Sequence, residues 1–175
     1  MNIVVGVSGG IAAYKAVALV RLFAEAGHEV RVVPTKSALN FVGKVTWEAI
    51  SGHPVTHEVY SNTSEVLHVR LGQQADAVVI APATANTIAK LAGGLADDLL
   101  GNTALTTHGP LFIAPAMHTE MWQHPATQHN IEVLQQRGAT IIGPESGRLT
   151  GTDTGPGRMS EPQQILDAVM AQLNG

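Results

Sequence analysis

The chain has 175 residues, of which 45% are hydrophobic and 14% charged, and its formal net charge at pH 7 is −4. This composition predicts one globular domain, residues 1–175, with a sizeable core, and it lacks the basic footprint of a nucleic-acid-binding protein. The sequence contains no cysteine, no apolar stretch of membrane-spanning length and no charged leader before an apolar run. We therefore expect no disulfide, no thiolate metal site and no membrane partner, and a cytoplasmic location.

Strand-like and helix-like segments alternate along the chain. The apolar runs predict strands at 2–7, 28–34, 76–82, 110–117 and 139–144, and an extended segment at 53–60. The helical spacing of apolar residues predicts helices at 11–27, within 37–51, at 66–75, at 84–107 with a break at Gly93–Gly94, at 124–138 and at 161–174. Such alternation predicts an α/β fold with a parallel sheet, helices on both of its faces and right-handed crossovers.

Residues 145–159, ESGRLTGTDTGPGRM, interrupt this alternation. The segment has four glycines, three threonines and one proline, and it offers almost nothing to bury. A loop of this length within a compact domain is usually functional or disordered. Two interpretations stay open here, a surface loop without function and a mobile flap over a binding site.

The first strand ends in Ser8-Gly9-Gly10 and passes directly into a helix. A glycine turn at the start of a helix presents unpaired N–H groups at the positive end of the helix dipole, which favours binding of a phosphate; a tight turn without a ligand is the alternative. The stretch lacks the glycine spacing of a dinucleotide site, and the residues around Lys15 do not form a phosphate-binding loop of the Walker type. The remaining candidate ligand is a mononucleotide, held by the glycine amides and by the hydroxyls of Ser8, Thr35 and Ser37. Flavin mononucleotide (FMN) fits better than ATP, because no cluster for Mg²⁺ lies near the turn.

The positions of the histidines alone do not identify a metal site or a catalytic site. His118, His124 and His129 are spaced by six and five residues, which does not place them on one helix face, so we expect no metal site. His68 stands between apolar neighbours and by itself indicates a structural histidine more than a catalytic one. The Met117–Met121–Trp122 group would by itself be part of the core.

Taken together, these stretches resemble the homo-oligomeric flavin-containing cysteine decarboxylases, and within that family the branch that decarboxylates 4′-phosphopantothenoylcysteine for coenzyme A biosynthesis. The resemblance covers nearly the whole chain in order. It rests on GVSGGIAAYK, LHVRLGQQAD, APATANTIAKLAGGLADDLL, PAMHTEMW and GRLTGTDTGPGRM.

The resemblance implies a Rossmann-like (flavodoxin-like) three-layer sandwich that binds FMN. In this family the flavin oxidises the cysteine thiol of the substrate to a thioaldehyde, carbon dioxide leaves, and an ene-thiolate remains. His68 is then the implied acid or base near the thiol, a role that suits imidazole. The implied cofactor-binding residues are Ser8, Gly9, Gly10, Thr35, Ser37, Thr84, Asn86, Thr87 and Met117. The glycine-rich segment is then a clamp over the substrate, with Thr150, Gly155, Gly157 and Arg158 as its contacts.

The chain departs from the family pattern at two positions. His118 stands where the family has an asparagine that is thought to bind the substrate carboxylate. Gly151 stands where the clamp of the coenzyme A enzymes has a cysteine that supplies the proton for the final reduction. His118, Asp153 or a bound water could protonate the intermediate instead, so we count His118 and Asp153 with His68 as candidate catalytic residues.

Several interpretations remain open at this stage. The reaction would run through to the saturated thiol, or it would stop at the ene-thiol, as in the relatives that decarboxylate a C-terminal cysteine of a peptide. A third hypothesis is a flavin-binding regulatory subunit without catalysis. The presence of His68 at the position of the family's catalytic histidine is an argument against it. The family assembles as trimers and dodecamers, and we expect a homotrimer or larger. Because the coenzyme A enzyme is often fused to a following ligase domain, the chain would be either the first part of such a protein or a free-standing enzyme.

Overall fold

The computed structural model describes residues 1–59, 66–149 and 151–175. Five parallel strands form the main sheet, in the order β2-β1-β3-β4-β5. These strands are β1 (Asn2–Val7), β2 (Glu29–Pro34), β3 (Ala77–Ala83), β4 (Leu111–Pro115) and β5 (Thr140–Ile141). The strand order is that of flavodoxin-like doubly wound folds, so the predicted fold class is confirmed.

Helices connect the strands and cover both faces of the sheet. They are α1 (Ala13–Glu25), α2 (Lys44–Ser51), α3 (Leu67–Gln74), α4 (Ala85–Gly93), α5 (Leu99–Thr106), α6 (Thr119–Gln123), α7 (Pro125–Gln136) and α8 (Pro162–Leu173), with a short 3₁₀ helix at Lys36–Asn40. One core cluster joins the sheet to α1, α2 and α8, and a second joins it to α3, α4, α5 and α7. The molecule is therefore built in three layers, as its alternating sequence predicts.

The first strand shows how the sequence sets these two faces. Ile3, Val5 and Val7 are fully buried in one core cluster, and Val4 lies in the other. Because successive side chains of a strand point to opposite faces, a continuous β-branched run is what a strand covered on both sides requires. From β1 the chain passes first to β2 on one side and later to β3 on the other. A crevice for a ligand forms at the carboxyl ends of the strands beside such a reversal.

The predicted elements are confirmed with changed bounds in some places. Strand β4 ends at Pro115, before the predicted 117, and the chain forms the short helix α6 ahead of α7. The segment expected to be extended at 53–60 forms no strand in its described part, His53–Val59.

The expectation of an irregular loop at 145–159 was wrong. Strands β6 (Glu145–Arg148) and β7 (Thr154–Arg158) pair antiparallel as a separate hairpin. Its glycines and threonines bury little apolar surface and give no strand pattern in the sequence. Backbone pairing and contacts with residues 117–119, described below, define the hairpin instead.

Candidate functional site

Ser8 joins the ends of two neighbouring strands. Its hydroxyl donates a hydrogen bond to the carbonyl of Pro82 at 2.6 Å and accepts one from the N–H of Thr84 at 2.9 Å. The side chain is buried and does not line the cleft described below. Ser8 therefore fixes the turn after β1 against the turn after β3, and its direct contact with a cofactor stays a prediction.

The turn after Ser8 has unused hydrogen-bond donors. Within the described structure, the backbone N–H groups of residues 9–12 donate no hydrogen bond, and the N-cap residue Ala12 carries no capping side chain. These groups lie at the N-terminus of a helix of 13 residues, α1, where the dipole favours an anion. Such a turn can bind a phosphate, and its occupation by one stays a prediction.

Gly9 lies against the 3₁₀ helix that follows β2. A Cβ at this position would overlap the Cβ of Ser37 and lie 2.9 Å from the Ser37 carbonyl carbon. Thr35 opens that helix, because its Oγ1 accepts from the N–H of Ala38 at 3.3 Å. The close approach, which only glycine permits, brings the hydroxyls of Thr35 and Ser37 beside the turn after β1.

The turn after β3 supplies a second helix N-terminus. Oγ1 of Thr84 accepts from the N–H of Thr87 at 3.3 Å and caps α4, and Asn86 lies in the first turn of this helix. The N-termini of α1 and α4 both face the same crevice, because the strands that precede them, β1 and β3, are neighbours in the sheet.

A cleft of about 780 Å³ lies at these strand ends, within the range of about 300–1,000 Å³ usual for small-molecule sites. The predicted cofactor-binding residues that line it are Gly9, Thr35, Ser37, Thr84, Asn86 and Thr87. Gly10 and Met117 do not line it. Met117 is partly buried against the core, whereas Met121 of α6, which we expected in the core with it, is exposed and lines the cleft.

Another wall of the cleft consists of residues that the sequence analysis did not name one by one, although they lie within the motif APATANTIAKLAGGLADDLL. It comprises Lys90, Leu95, Asp97, Asp98 and Leu100. These residues lie mostly on α4, α5 and their connection. The predicted break at Gly93–Gly94 is the signal that the chain turns back here, since Gly94 has the left-handed conformation that ends α4.

One ion pair dominates the charge of this wall. The ammonium of Lys90 donates to both carboxylate oxygens of Asp97, at 2.8 and 2.9 Å. This hydrogen bond raises the pKa of Lys90 and lowers the pKa of Asp97. Asp98 caps α5 by accepting from the N–H of Gly101 at 2.8 Å. One carboxylate of the wall is thus paired with a cation and the other with a helix N-terminus.

The hairpin is fastened to the turn between β4 and α6. The N–H of Met117 donates to the carbonyl of Gly157 at 3.0 Å, and Oγ1 of Thr119 donates to the carbonyl of Pro156 at 2.9 Å. A Cβ at Gly157 would overlap the Met117 carbonyl, and one at Gly155 would overlap the Thr119 hydroxyl. The predicted clamp glycines therefore allow close contact with the chain that leads into α6, which reaches the cleft through Met121.

Two of the candidate catalytic residues meet at this hairpin. Nδ1 of His118 and Oδ2 of Asp153 are 3.8 Å apart, and both side chains are substantially exposed. Thr150, a predicted clamp residue, lies outside the described residues.

Arg158 lies at the base of the hairpin. Its guanidinium lies 3.3 Å from Oε1 of Glu161, which also accepts from the Lys15 ammonium at 2.8 Å. The Lys15 hydrogen bond lowers the pKa of Glu161, and the charge of Arg158 adds to the effect. Nε of Arg158 is buried and has no hydrogen-bond partner in the described structure. The carboxylate of Glu161 holds two cations, from α1 and from the hairpin, beside each other.

His68 does not line the cleft of its own chain. It lies in the first turn of α3, where its carbonyl accepts from the hydroxyl of Thr106 at 2.9 Å. Its Nδ1 is buried without a hydrogen-bond partner among the described residues. His118 and Asp153 do not line the cleft either, although the chain that carries His118 leads into α6 and Met121, which does. The catalytic role of each of these three residues stays a prediction.

No three histidine, aspartate or glutamate side chains of the described ranges converge in a way that could hold a metal ion. Within the same ranges, every helix is too short or too polar to cross a membrane.

Comparison with known proteins identifies a family for nearly the whole chain. A model of the family described as Flavoprotein matches residues 1–174. The coenzyme A biosynthesis bifunctional protein CoaBC of Mycolicibacterium smegmatis is 60% identical over 172 residues, which are 98% of this chain and 41% of that protein. The chain thus spans about two fifths of the length of the curated relatives it matches.

Solved structures agree with this placement. The structure of a PPC decarboxylase mutant complexed with pantothenoylaminoethenethiol is 36% identical, with a TM-score of 0.91, over 99% of this chain and 98% of that one. The FMN-dependent cysteine decarboxylase SpaF is 31% identical, with a TM-score of 0.86, over 100% of this chain and 98% of that one. The chain belongs to the flavoprotein family.

Proposed function

We propose that residues 1–175 form a single FMN-dependent decarboxylase domain that acts on 4′-phosphopantothenoylcysteine in coenzyme A biosynthesis, with residues 145–159 as its substrate clamp. The observation that carries the proposal is one continuous cleft. It begins at the unpaired N–H groups of the turn after β1 and extends to Met121 of α6, against which the clamp hairpin is fastened. The names of the related proteins support the substrate and the pathway. A cytoplasmic location belongs to the same proposal.

The donor groups of the cleft fit an FMN. The unpaired N–H groups of residues 9–12 and the hydroxyl of Ser37 would hold its phosphate. Thr84, Asn86 and Thr87 line the part of the cleft at the start of α4 and would bind the remaining polar groups. The bound flavin supplies the two-electron oxidation of the substrate thiol that makes the neighbouring carboxylate a leaving group.

The residues of the chain would then orient the substrate and handle protons. The hairpin excludes water by closing over the cysteine end of the substrate, and the cations of Arg158 and Lys15 lie at its base. His68 would take the thiol proton, a task within reach of an imidazole near neutral pH.

We propose that His68 acts in a site shared with a second copy of the chain. His68 lies outside the cleft of its own chain, and Ile11, Tyr14, Phe41 and Val45 expose between 49% and 78% of their surface. We propose a homotrimer, or a dodecamer of four such trimers, in which neighbouring copies cover these apolar residues and complete the site. Light scattering of the flavin-loaded protein tests the assembly, and a monomeric mass would contradict it.

A complementation experiment tests the shared site. We expect His68→Asn and Asn86→Ala each to release almost no carbon dioxide from 4′-phosphopantothenoylcysteine. Oligomers assembled from a mixture of the two variants would regain part of the activity, because some sites would receive an intact half from each copy. Full activity of His68→Asn alone would refute the catalytic role and favour a flavin-binding protein without catalysis.

One observation favours a second candidate, oxidative decarboxylation of a peptide C-terminal cysteine to an ene-thiol. The chain has no cysteine, and Gly151 occupies the clamp position at which we expect one in enzymes that complete the reduction. SpaF shows that the fold serves FMN-dependent cysteine decarboxylases more widely. Competition between a peptide that ends in cysteine and 4′-phosphopantothenoylcysteine distinguishes the two, and preferential turnover of the peptide would favour the second candidate.

A further inference from the structure

The imidazole of His118 lies beneath the tip of the hairpin. His118 is the N-cap residue of α6 and has an extended backbone, with φ −64° and ψ 153°. Its side chain is 47% exposed. Nδ1 faces Oδ2 of Asp153 at 3.8 Å, within ion-pair distance when the imidazole is protonated. The Nδ1 atom of the ring thus faces a carboxylate, and Nε2 is the other nitrogen that can donate a proton.

The hairpin holds Asp153 in this place. Its base is bonded to the chain on both sides of His118, through the N–H of Met117 and the hydroxyl of Thr119. Its tip is closed by the N–H of Leu149, which donates to the Asp153 carbonyl at 2.8 Å, and by Nε of Arg148, which donates to the Gly151 carbonyl at 2.7 Å. These bonds hold the backbone of Asp153 close to His118.

From this geometry we infer that His118 is the proton donor to the ene-thiolate left by decarboxylation, and that Asp153 is the positioning residue for its ring. The inference rests on the proposed function and names the group that completes the reaction. The N–H bond at Nε2 breaks, a C–H bond forms at the carbon that lost carbon dioxide, and the ene-thiolate becomes a thioaldehyde. This step is a proton transfer without net oxidation. The two electrons and two hydrogens that then reduce the thioaldehyde to the thiol are those removed from the substrate thiol at the start.

Four other residues at or beside the hairpin do not fit this task. Gly151 has no side chain, and the Thr119 hydroxyl already donates to the Pro156 carbonyl. Arg148 keeps its proton because a guanidinium is not deprotonated in proteins, and an ionised Asp153 can only accept. An imidazolium, in contrast, donates from both nitrogens at once, to Asp153 and to the substrate.

The test uses the flavin-loaded protein, 4′-phosphopantothenoylcysteine and analysis of both products in a single turnover. For His118→Asn we expect carbon dioxide release within about threefold of the unchanged protein, but formation of the saturated thiol slower by about 100-fold, the usual contribution of a general acid. The ene-thiol then accumulates. Asp153→Asn shows the same imbalance to a smaller degree. His129→Asn, at an exposed histidine of α7, leaves both products unchanged.

Two further measurements separate proton donation from binding. The serine analogue of the substrate, with a hydroxyl in place of the thiol, cannot be oxidised in this way, and we expect its calorimetric affinity to be equal within about threefold for the unchanged protein and His118→Asn. Adding Gly151→Cys to His118→Asn restores part of the saturated thiol, because the cysteine provides another proton at the hairpin tip. A Cβ there meets no atom of the described structure within 4 Å, but the φ of Gly151, 60°, is one that side chains rarely adopt, so the rescue is expected to be incomplete.

The outcomes distinguish this inference from the proposed function. If the unchanged protein releases no carbon dioxide, the proposed function fails and the inference with it. If the unchanged protein yields the saturated thiol and His118→Asn yields it at the same rate, only the inference is overturned. A loss of analogue affinity together with carbon dioxide release in His118→Asn would also overturn it, since His118 would then bind the substrate carboxylate.

Discussion

Replacement of Gly9 by alanine tests the anion turn directly. The added Cβ would overlap the Cβ of Ser37 and lie 2.9 Å from the carbonyl carbon of Ser37 and 3.2 Å from the nitrogen of Ala38. Two of these three atoms are backbone atoms, so no side-chain rotation relieves the contact. The turn after β1 and the 3₁₀ helix after β2 must move apart.

The size of the effect follows from the cost of overpacking. Forcing one extra methyl group into a packed site costs about 1–3 kcal/mol. Because the displaced backbone carries the N–H groups proposed to bind the phosphate, we expect much of this cost in the free energy of FMN binding. At about 1.4 kcal/mol for each factor of ten, the dissociation constant of FMN rises by about 5- to 150-fold.

Quenching of flavin fluorescence on titration into the flavin-free protein measures this constant. Gly93→Ala is the matched control, because Gly93 is exposed, has no positive φ and would place its Cβ 3.9 Å from the nearest atom, Cγ of Leu95. We expect the control to bind FMN like the unchanged protein. Equal FMN affinity of Gly9→Ala and Gly93→Ala would refute the assignment of the turn.

Three further predictions concern the cleft, the hairpin base and the hairpin itself. Lys90→Met leaves the carboxylate of Asp97 unpaired in the cleft wall, so we expect weaker binding of the anionic FMN, with a difference that shrinks at high salt; a salt-independent difference would contradict this. Since Lys15 lowers the pKa of Glu161 in the folded chain, the ion pair stabilises the fold above the pKa of the unfolded state and is lost as the pH falls through the folded pKa. Glu161→Gln should therefore lower the free energy of unfolding by at most about 1 kcal/mol near neutral pH, and urea titrations should show the difference vanish in acid rather than persist. Thr119→Val removes the hydroxyl that fastens the hairpin, and we expect faster tryptic cleavage within 145–159 with unchanged cleavage elsewhere; an unchanged rate would show that the other contacts suffice.

Much of the cleft could be predicted from the sequence because its parts are local. A strand that ends in a glycine turn before a helix defines the anion site, and a threonine before a helix defines its cap. The turns at Gly9 and Thr84 meet because their strands are neighbours in the sheet, a consequence of the predicted α/β alternation. Local chemistry and fold class together therefore locate one side of the cleft.

The other parts of the site could not be predicted, because they depend on contacts between segments that are distant in the sequence. The Lys90–Asp97 pair forms because the chain reverses after Gly94, and the sequence shows the break without the direction in which the chain continues. The hairpin has no hydrophobic pattern, and its place is set by bonds to residues 117–119 far along the chain. No spacing in the sequence indicates that His68 lies outside the cleft, because that depends on how α3 packs on α5.

The most direct test of the central claim is the mass of the product formed from 4′-phosphopantothenoylcysteine by the flavin-loaded protein. The account predicts a product that has lost carbon dioxide alone, since the two electrons removed from the thiol are returned and His118 supplies the proton. A product that has lost carbon dioxide and two hydrogens, with the flavin left reduced, would contradict it. The reaction would then end at the ene-thiol, and a peptide that ends in cysteine would become the better substrate.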